Sequence, residues 1–164
     1  MSLQDDAIES IRSRFPEAFL STTESAGQKV AHVKREAIVA ILRHLRDDFA
    51  CDMLTDLTAV DWLNMGKPER FAMVYQVYSL AKNEGFRVMC WLPEDDAEVD
   101  TACDLWKSAN WAEREVYDMF GIRFRGHPDL KRILLPFDYT GHPLRKDYPL
   151  QGMGERMDFP RYVK

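Results

Sequence analysis

Only three cysteines occur in the 164 residues, Cys51, Cys90 and Cys103, an odd number set far apart. That spacing excludes a disulfide framework and a CxxC redox pair, and it offers no clustered thiols for structural zinc or an iron–sulfur cluster. Glycine-rich turns after strands are missing as well. With neither GxGxxG nor GxxxxGK[ST] in the chain, nothing points to a dinucleotide or phosphate cradle. The longest apolar run, AIVAIL from Ala37 to Leu42, is far short of the roughly 18 residues of a membrane span. The N-terminus MSLQDDAIES is acidic where a secretory signal is basic, so a cytosolic chain is expected. No serine or cysteine lies between residues 109 and 164, which leaves a histidine there without a nearby nucleophile. The net charge of -5 argues against nucleic acid as a partner.

What is present is unevenly distributed. Residues 1–120 hold 13 Lys+Arg against 22 Asp+Glu, net -9, whereas residues 121–164 hold 9 against 5, net +4. The same C-terminal quarter carries five of the eight glycines and five of the eight prolines. Two regions are therefore expected: a single domain over 1–120, and an extended C-terminal docking segment of the same domain over 121–164.

In the first region, Ile8, Ile11 and Phe15 recur at helical spacing and Pro16 ends the helix. AFLSTTES and QKVAHVK flank Ala26-Gly27 and read as a hairpin. EAIVAILRHLRDD places Ile38, Ile41, Leu42 and Leu45 on one face of a second helix. Strands are expected over 53–63, 71–80 and 86–93, joined by loops short enough to favour antiparallel neighbours. The order α-β-β-α-β-β-β predicts an α+β two-layer sandwich with a mixed or mainly antiparallel sheet. After the acidic loop PEDDAEVD, VDTACDLWKSA precedes another helix, NWAEREVYDMFG. Asn110 and Glu113 form a capping-box pattern there, and Gly121 supplies the stop. Glu113, Arg114, Tyr117 and Asp118 read as a solvated face, with Arg114 in reach of Asp118.

Beyond Gly121 helical and strand periodicity stops, yet the segment is rich in large apolar residues, too many for a solvated tail. It contains Gly-His-Pro twice, at His127 and His142. Glycine before the histidine and proline after it make each triplet a rigid corner. Four potential ligands, His127, His142, Asp129 and Asp138, lack HxxxH or HxH spacing. Acid–base work by Glu113 or Glu115 with a histidine is the enzymatic alternative, namely a small stand-alone metal-dependent or acid/base enzyme built on His127 and His142. The basic excess predicts an acidic counterpart for this strap.

The stretch EREVYDMFGIRFRGHP, Glu113 to Pro128, resembles the signature of the 30 kDa (C-type) subunit family of proton-translocating NADH:quinone oxidoreductase, which is respiratory complex I or NDH-1. DLKRILLPFDYTGHPLRKDYP resembles the segment that follows it, so the resemblance covers roughly residues 30–150. It implies a hydrophilic, cofactor-free, non-catalytic subunit of the peripheral arm, on the cytoplasmic side of the cell inner membrane, packed on the quinone-site (D-type) subunit. It also implies that FMN, iron–sulfur clusters and quinone reside in partner subunits. Glu113, Arg114, Glu115, Asp118, Phe120, Gly121, Gly126, His127 and Pro128 match the family pattern. The expected partner interface comprises Arg123, Phe124, Arg125, Lys131, Arg132, Leu134, Leu135, Phe137, His142, Arg145 and Lys146. Many members of the family continue beyond the KDYP-like segment further than this sequence, which implies a shorter wrap here.

Overall fold

A computed structural model describes residues 2–154; the last part of the expected docking segment, 155–164, lies outside the described residues. Helix α1 (Leu3–Arg14) begins at Ser2, whose hydroxyl accepts Asp5 N–H, and turns Leu3, Ala7, Ile8 and Ile11 inward. Strands β1 (Phe19–Ser25) and β2 (Gln28–Val33) form the expected hairpin. Ala26 and Gly27 both take positive φ, 51° and 75°, the turn geometry that matches the twist of the flanking strands. A 3-10 turn over Arg35–Ala37 leads into α2 (Ile38–Asp48), which buries Ile38, Ile41, Leu42 and Leu45.

Strands β3 (Met53–Asp61), β4 (Phe71–Ser79) and β5 (Glu84–Leu92) make an antiparallel meander, and the hairpin joins it by pairing β2 parallel to β5. The five-stranded order is β1-β2-β5-β4-β3. Alternate residues Leu57, Ala59, Tyr75, Met73, Val88 and Cys90 are buried and share one core with the helices. A bulge between Leu54 and Asp56 resets the phase of β3, so Leu54 is buried although it lies three positions before Leu57. This is the two-layer α+β sandwich expected, mainly antiparallel with one parallel pair.

Helix α3 (Ala109–Phe120) closes on Gly121 in the left-handed region, φ 76°. Its start differs from expectation: Ser108 precedes it, no side chain caps it, and Asn110 lies inside the first turn. Glu113 turns instead towards Thr101 and Ala102, whose hydroxyl and amide are stronger claims on a carboxylate than a local cap. The run VDTACDLWKSA is not helical. It opens with β6 (Glu98–Asp100), paired in parallel with β7 (Arg123–Arg125), and continues as turns. Neither three-residue strand is long enough to show a period, and their partners are far apart in sequence. Ile122 and Phe124 are buried in the common core.

Candidate docking site

Two of the three signature carboxylates of α3 are inside the molecule. Glu113 and Asp118 have no exposed surface, contrary to the expected solvated face. Asp118 Oδ1 accepts from Arg132 Nη1 at 2.6 Å, and Oδ2 accepts the amide N–H groups of Ile133, Leu134 and Leu135 at 3.0, 2.8 and 2.9 Å. Three consecutive amides aimed at one oxygen bend residues 133–135 into an anion nest. Burial alone would raise the Asp118 pKa, but these amides and the guanidinium outweigh it and hold the carboxyl below its ordinary value. Arg114 does not pair with Asp118. It donates to the carbonyls of Lys131 and Arg132 at 3.0 and 3.1 Å, its guanidinium lying over the Trp111 ring. Arginine and aspartate of the signature therefore grip the same turn of strap, one by its carbonyls and the other by its amides.

The C-terminal carbonyls of α3, which have no partners within a helix, are taken by the second Gly-His-Pro corner. His142 Nδ1 donates to Asp118 O at 3.0 Å, Leu144 N–H to Met119 O at 3.2 Å and Arg145 Nε to Phe120 O at 2.6 Å. Burial depresses the His142 pKa, favouring the neutral ring. A Cβ on Gly121 would lie 2.7 Å from His142 Nε2 and 2.8 Å from Arg145 Nη2. Only glycine allows both the helix stop and the strap's approach.

A third fastening was not anticipated. Asp61, buried at the end of β3, pairs with Arg70 at 2.9 Å and accepts Lys146 N–H at 2.8 Å. Arg70 also pairs with Asp147 at 2.7 Å and with Glu94. Burial pushes the Asp61 pKa up, but Arg70 and the Lys146 amide bring it below the ordinary value. The signal was available: in LTAVD the inward alternation Leu57, Ala59 lands next on Asp61, a charge at a core-facing position.

The basic residues of the strap are mostly matched within the chain. Arg125 pairs with Asp100 at 2.7 Å, Arg123 with Glu98 at 3.6 Å, Lys131 with Asp129 at 2.8 Å and Arg132 with Asp118. The acidic counterpart is largely the PEDDAEVD loop and α3. Phe124 is taken by the chain's own core, and Leu135 packs against it. Lys146 is exposed, as are Glu115 and Pro128, while Phe120 is core and Gly126 forms a turn at φ 78°. Outward from the fastened strap stand Leu134, 62% exposed, Phe137, 96% exposed, and also Leu144, Leu150 and Met153.

His127 and His142 do not form one site. His127 sits at Asn110 O and His142 at Asp118 O, eight residues and so about 12 Å apart along α3. Ser10, His44 and Asp48 are hydrogen-bonded in sequence, at 2.8 and 2.6 Å. Ser10 lies within α1, however, where neighbouring amides are engaged in the helix and none is left for an oxyanion. That chain of bonds ties α1 to α2.

Residues 31–154 match the family described as respiratory-chain NADH dehydrogenase, 30 Kd subunit. The chain belongs to this family. The NADH-quinone oxidoreductase C subunit of Citrifermentans bemidjiense is 48% identical over 93% of both chains. The family is one of subunits of an oxidoreductase complex, and this chain is a part of such an enzyme rather than the whole. A trypsin-resistant fragment of Nqo5 superposes with a TM-score of 0.70 at 34% identity, covering 78% of this chain and 99% of that one. A chain of an archaeal membrane-bound sulfane sulfur reductase has a TM-score of 0.72 at 23% identity, covering 89% of this chain and 85% of that one, and shares the fold. Among the described residues no helix is long and apolar enough to cross a membrane.

Proposed function

We propose that this chain is a non-catalytic docking subunit of the peripheral arm of NADH:quinone oxidoreductase, which seats its strap on the quinone-site (D-type) subunit at the cytoplasmic face of the inner membrane. In this reading FMN, the iron–sulfur clusters and quinone belong to partner subunits, and the chain supports electron transfer by holding its neighbours in place. The observation that carries it is three large apolar side chains, Leu134, Phe137 and Leu144, exposed on a strap that Asp118, Arg114 and the α3 carbonyls hold to the body. Large apolar side chains presented on a fastened backbone are what a stable protein contact uses as its anchors. Because the strap is already ordered, docking incurs little ordering entropy.

Leu134→Glu and Phe137→Ser test the reading. Both side chains point to solvent, so the thermal midpoint of the isolated subunit should hold, while recovery with partner subunits from solubilised membranes and membrane NADH:quinone activity both fall at least tenfold. Undiminished assembly in the double variant would remove Leu134 and Phe137 from the interface.

A further inference from the structure

Glu113 stands out among the buried carboxylates. Asp118 and Asp61 each face an arginine, but Glu113 has no arginine or lysine within ion-pair distance among the described residues. Its oxygens accept from neutral groups only: Ala102 N–H at 2.6 Å, the Thr101 hydroxyl at 2.5 Å and the Cys103 thiol at 3.5 Å. His127 stands close by. One ligand atom each from Cys103, Glu113 and His127 lies within 4.8 Å of the other two. We propose that Cys103, Glu113 and His127 form a binding site for a divalent cation of the zinc class.

The donor set selects the ion. A sulfur, an imidazole nitrogen and a carboxylate oxygen suit zinc and its neighbours in the transition series, while magnesium and calcium take oxygen alone. Metal–ligand bonds of about 2.0–2.3 Å put tetrahedral ligands roughly 3–4 Å apart, and the Cys103–Glu113 separation already lies in that range. Thiolate and carboxylate together neutralise the ion, supplying the cation that the buried carboxylate lacks. His127 Nδ1 accepts Asp129 N–H at 3.0 Å, and its Nε2 donates to Asn110 O at 3.1 Å. The ion would take the Nδ1 lone pair in place of the Asp129 amide, while Nε2–H stays on Asn110 O and holds the ring, as is usual for metal-bound histidine. Cys103 and His127 are only half-buried, so a fourth position stays open to water.

Binding is an exchange: the Cys103 S–H bond breaks, a sulfur–metal bond forms and one proton passes to solvent for each ion bound. The three residues come from the turns after β6, from α3 and from the first Gly-His-Pro corner, so the ion would staple the start of the strap to the body. No local spacing announces such a set, since ten and fourteen residues separate its members.

The test is titration of the purified full chain with Zn2+ against a chromogenic competitor, and with Co2+ monitored by absorption. One equivalent should bind, Co2+ should show a thiolate charge-transfer band, and affinity should rise about tenfold per pH unit while the thiol remains protonated in the free site. Cys103→Ser and His127→Gln, checked for folding by circular dichroism, should each weaken binding at least tenfold, and His142→Gln should leave it unchanged. Substoichiometric binding, a missing thiolate band, or affinity unchanged by both ligand variants would overturn the site. Neither result bears on Leu134 and Phe137, whose variants touch none of the three ligands.

Discussion

Asp118 carries more of the molecule's organisation than any single apolar side chain, because one carboxylate fixes an arginine and three amides at once. Asp118→Asn keeps the shape but removes the charge and turns a donor towards donors. Breaking a buried pair from one side typically costs about 3–5 kcal/mol, so urea unfolding should show a loss of that order, with trypsin cutting the strap at Arg132 sooner than in the parent. Glu113 responds in the opposite sense to pH. Burial raises its folded pKa, so the folded chain holds the proton more tightly than the unfolded one. Its favourable contribution is complete below the unfolded value of about 4.3 and is lost as pH rises through the higher folded value. Metal-free Glu113→Gln should therefore gain stability relative to the parent as pH rises above about 4, in unfolding curves across that range. Neither residue was legible as buried, because charges on an amphipathic helix read as solvent-facing. The partners that allow burial are a remote arginine and backbone amides for Asp118, and a hydroxyl, a thiol and one amide for Glu113, none at a spacing that a sequence pattern reveals.

Among the elements, those with a period were legible. Ile38, Ile41, Leu42 and Leu45 define α2, and β3 to β5 follow from their alternation and the loops between them. β6 and β7 were not, since three residues carry no period and the pair is fixed by Arg125 and Asp100 meeting across a distant connection. Among the described residues the strap is irregular and fastened to α3, and much of its charge faces inward. Its meeting with α3 depends on Gly121. Gly121→Ala adds a Cβ in a left-handed backbone and drives it against His142 and Arg145, so a loss of about 1 kcal/mol from the backbone alone is expected, with further loss from the displaced corner. Hydrogen exchange should rise at residues 142–146 and remain unchanged in β4.

At the scale of the whole molecule, Ile122 and Phe124 belong to the core although they lie beyond α3. A chain stopped after Arg125 should fold, with cooperative unfolding and native circular dichroism. One stopped after Phe120 forfeits two core side chains, each contributing about 1.5–3 kcal/mol, and also β7, and should be partly unfolded or insoluble. The parallel seam between β2 and β5 has a consequence of another kind. During synthesis the N-terminal hairpin is complete before β3 has been made, yet the neighbour that covers its β2 edge is β5, the last strand of the sheet to emerge. An unpaired edge invites a second chain, so on crowded ribosomes the nascent hairpin is the point at which this protein is most exposed to aggregation, and its chaperone dependence should end once residue 92 has cleared the exit tunnel.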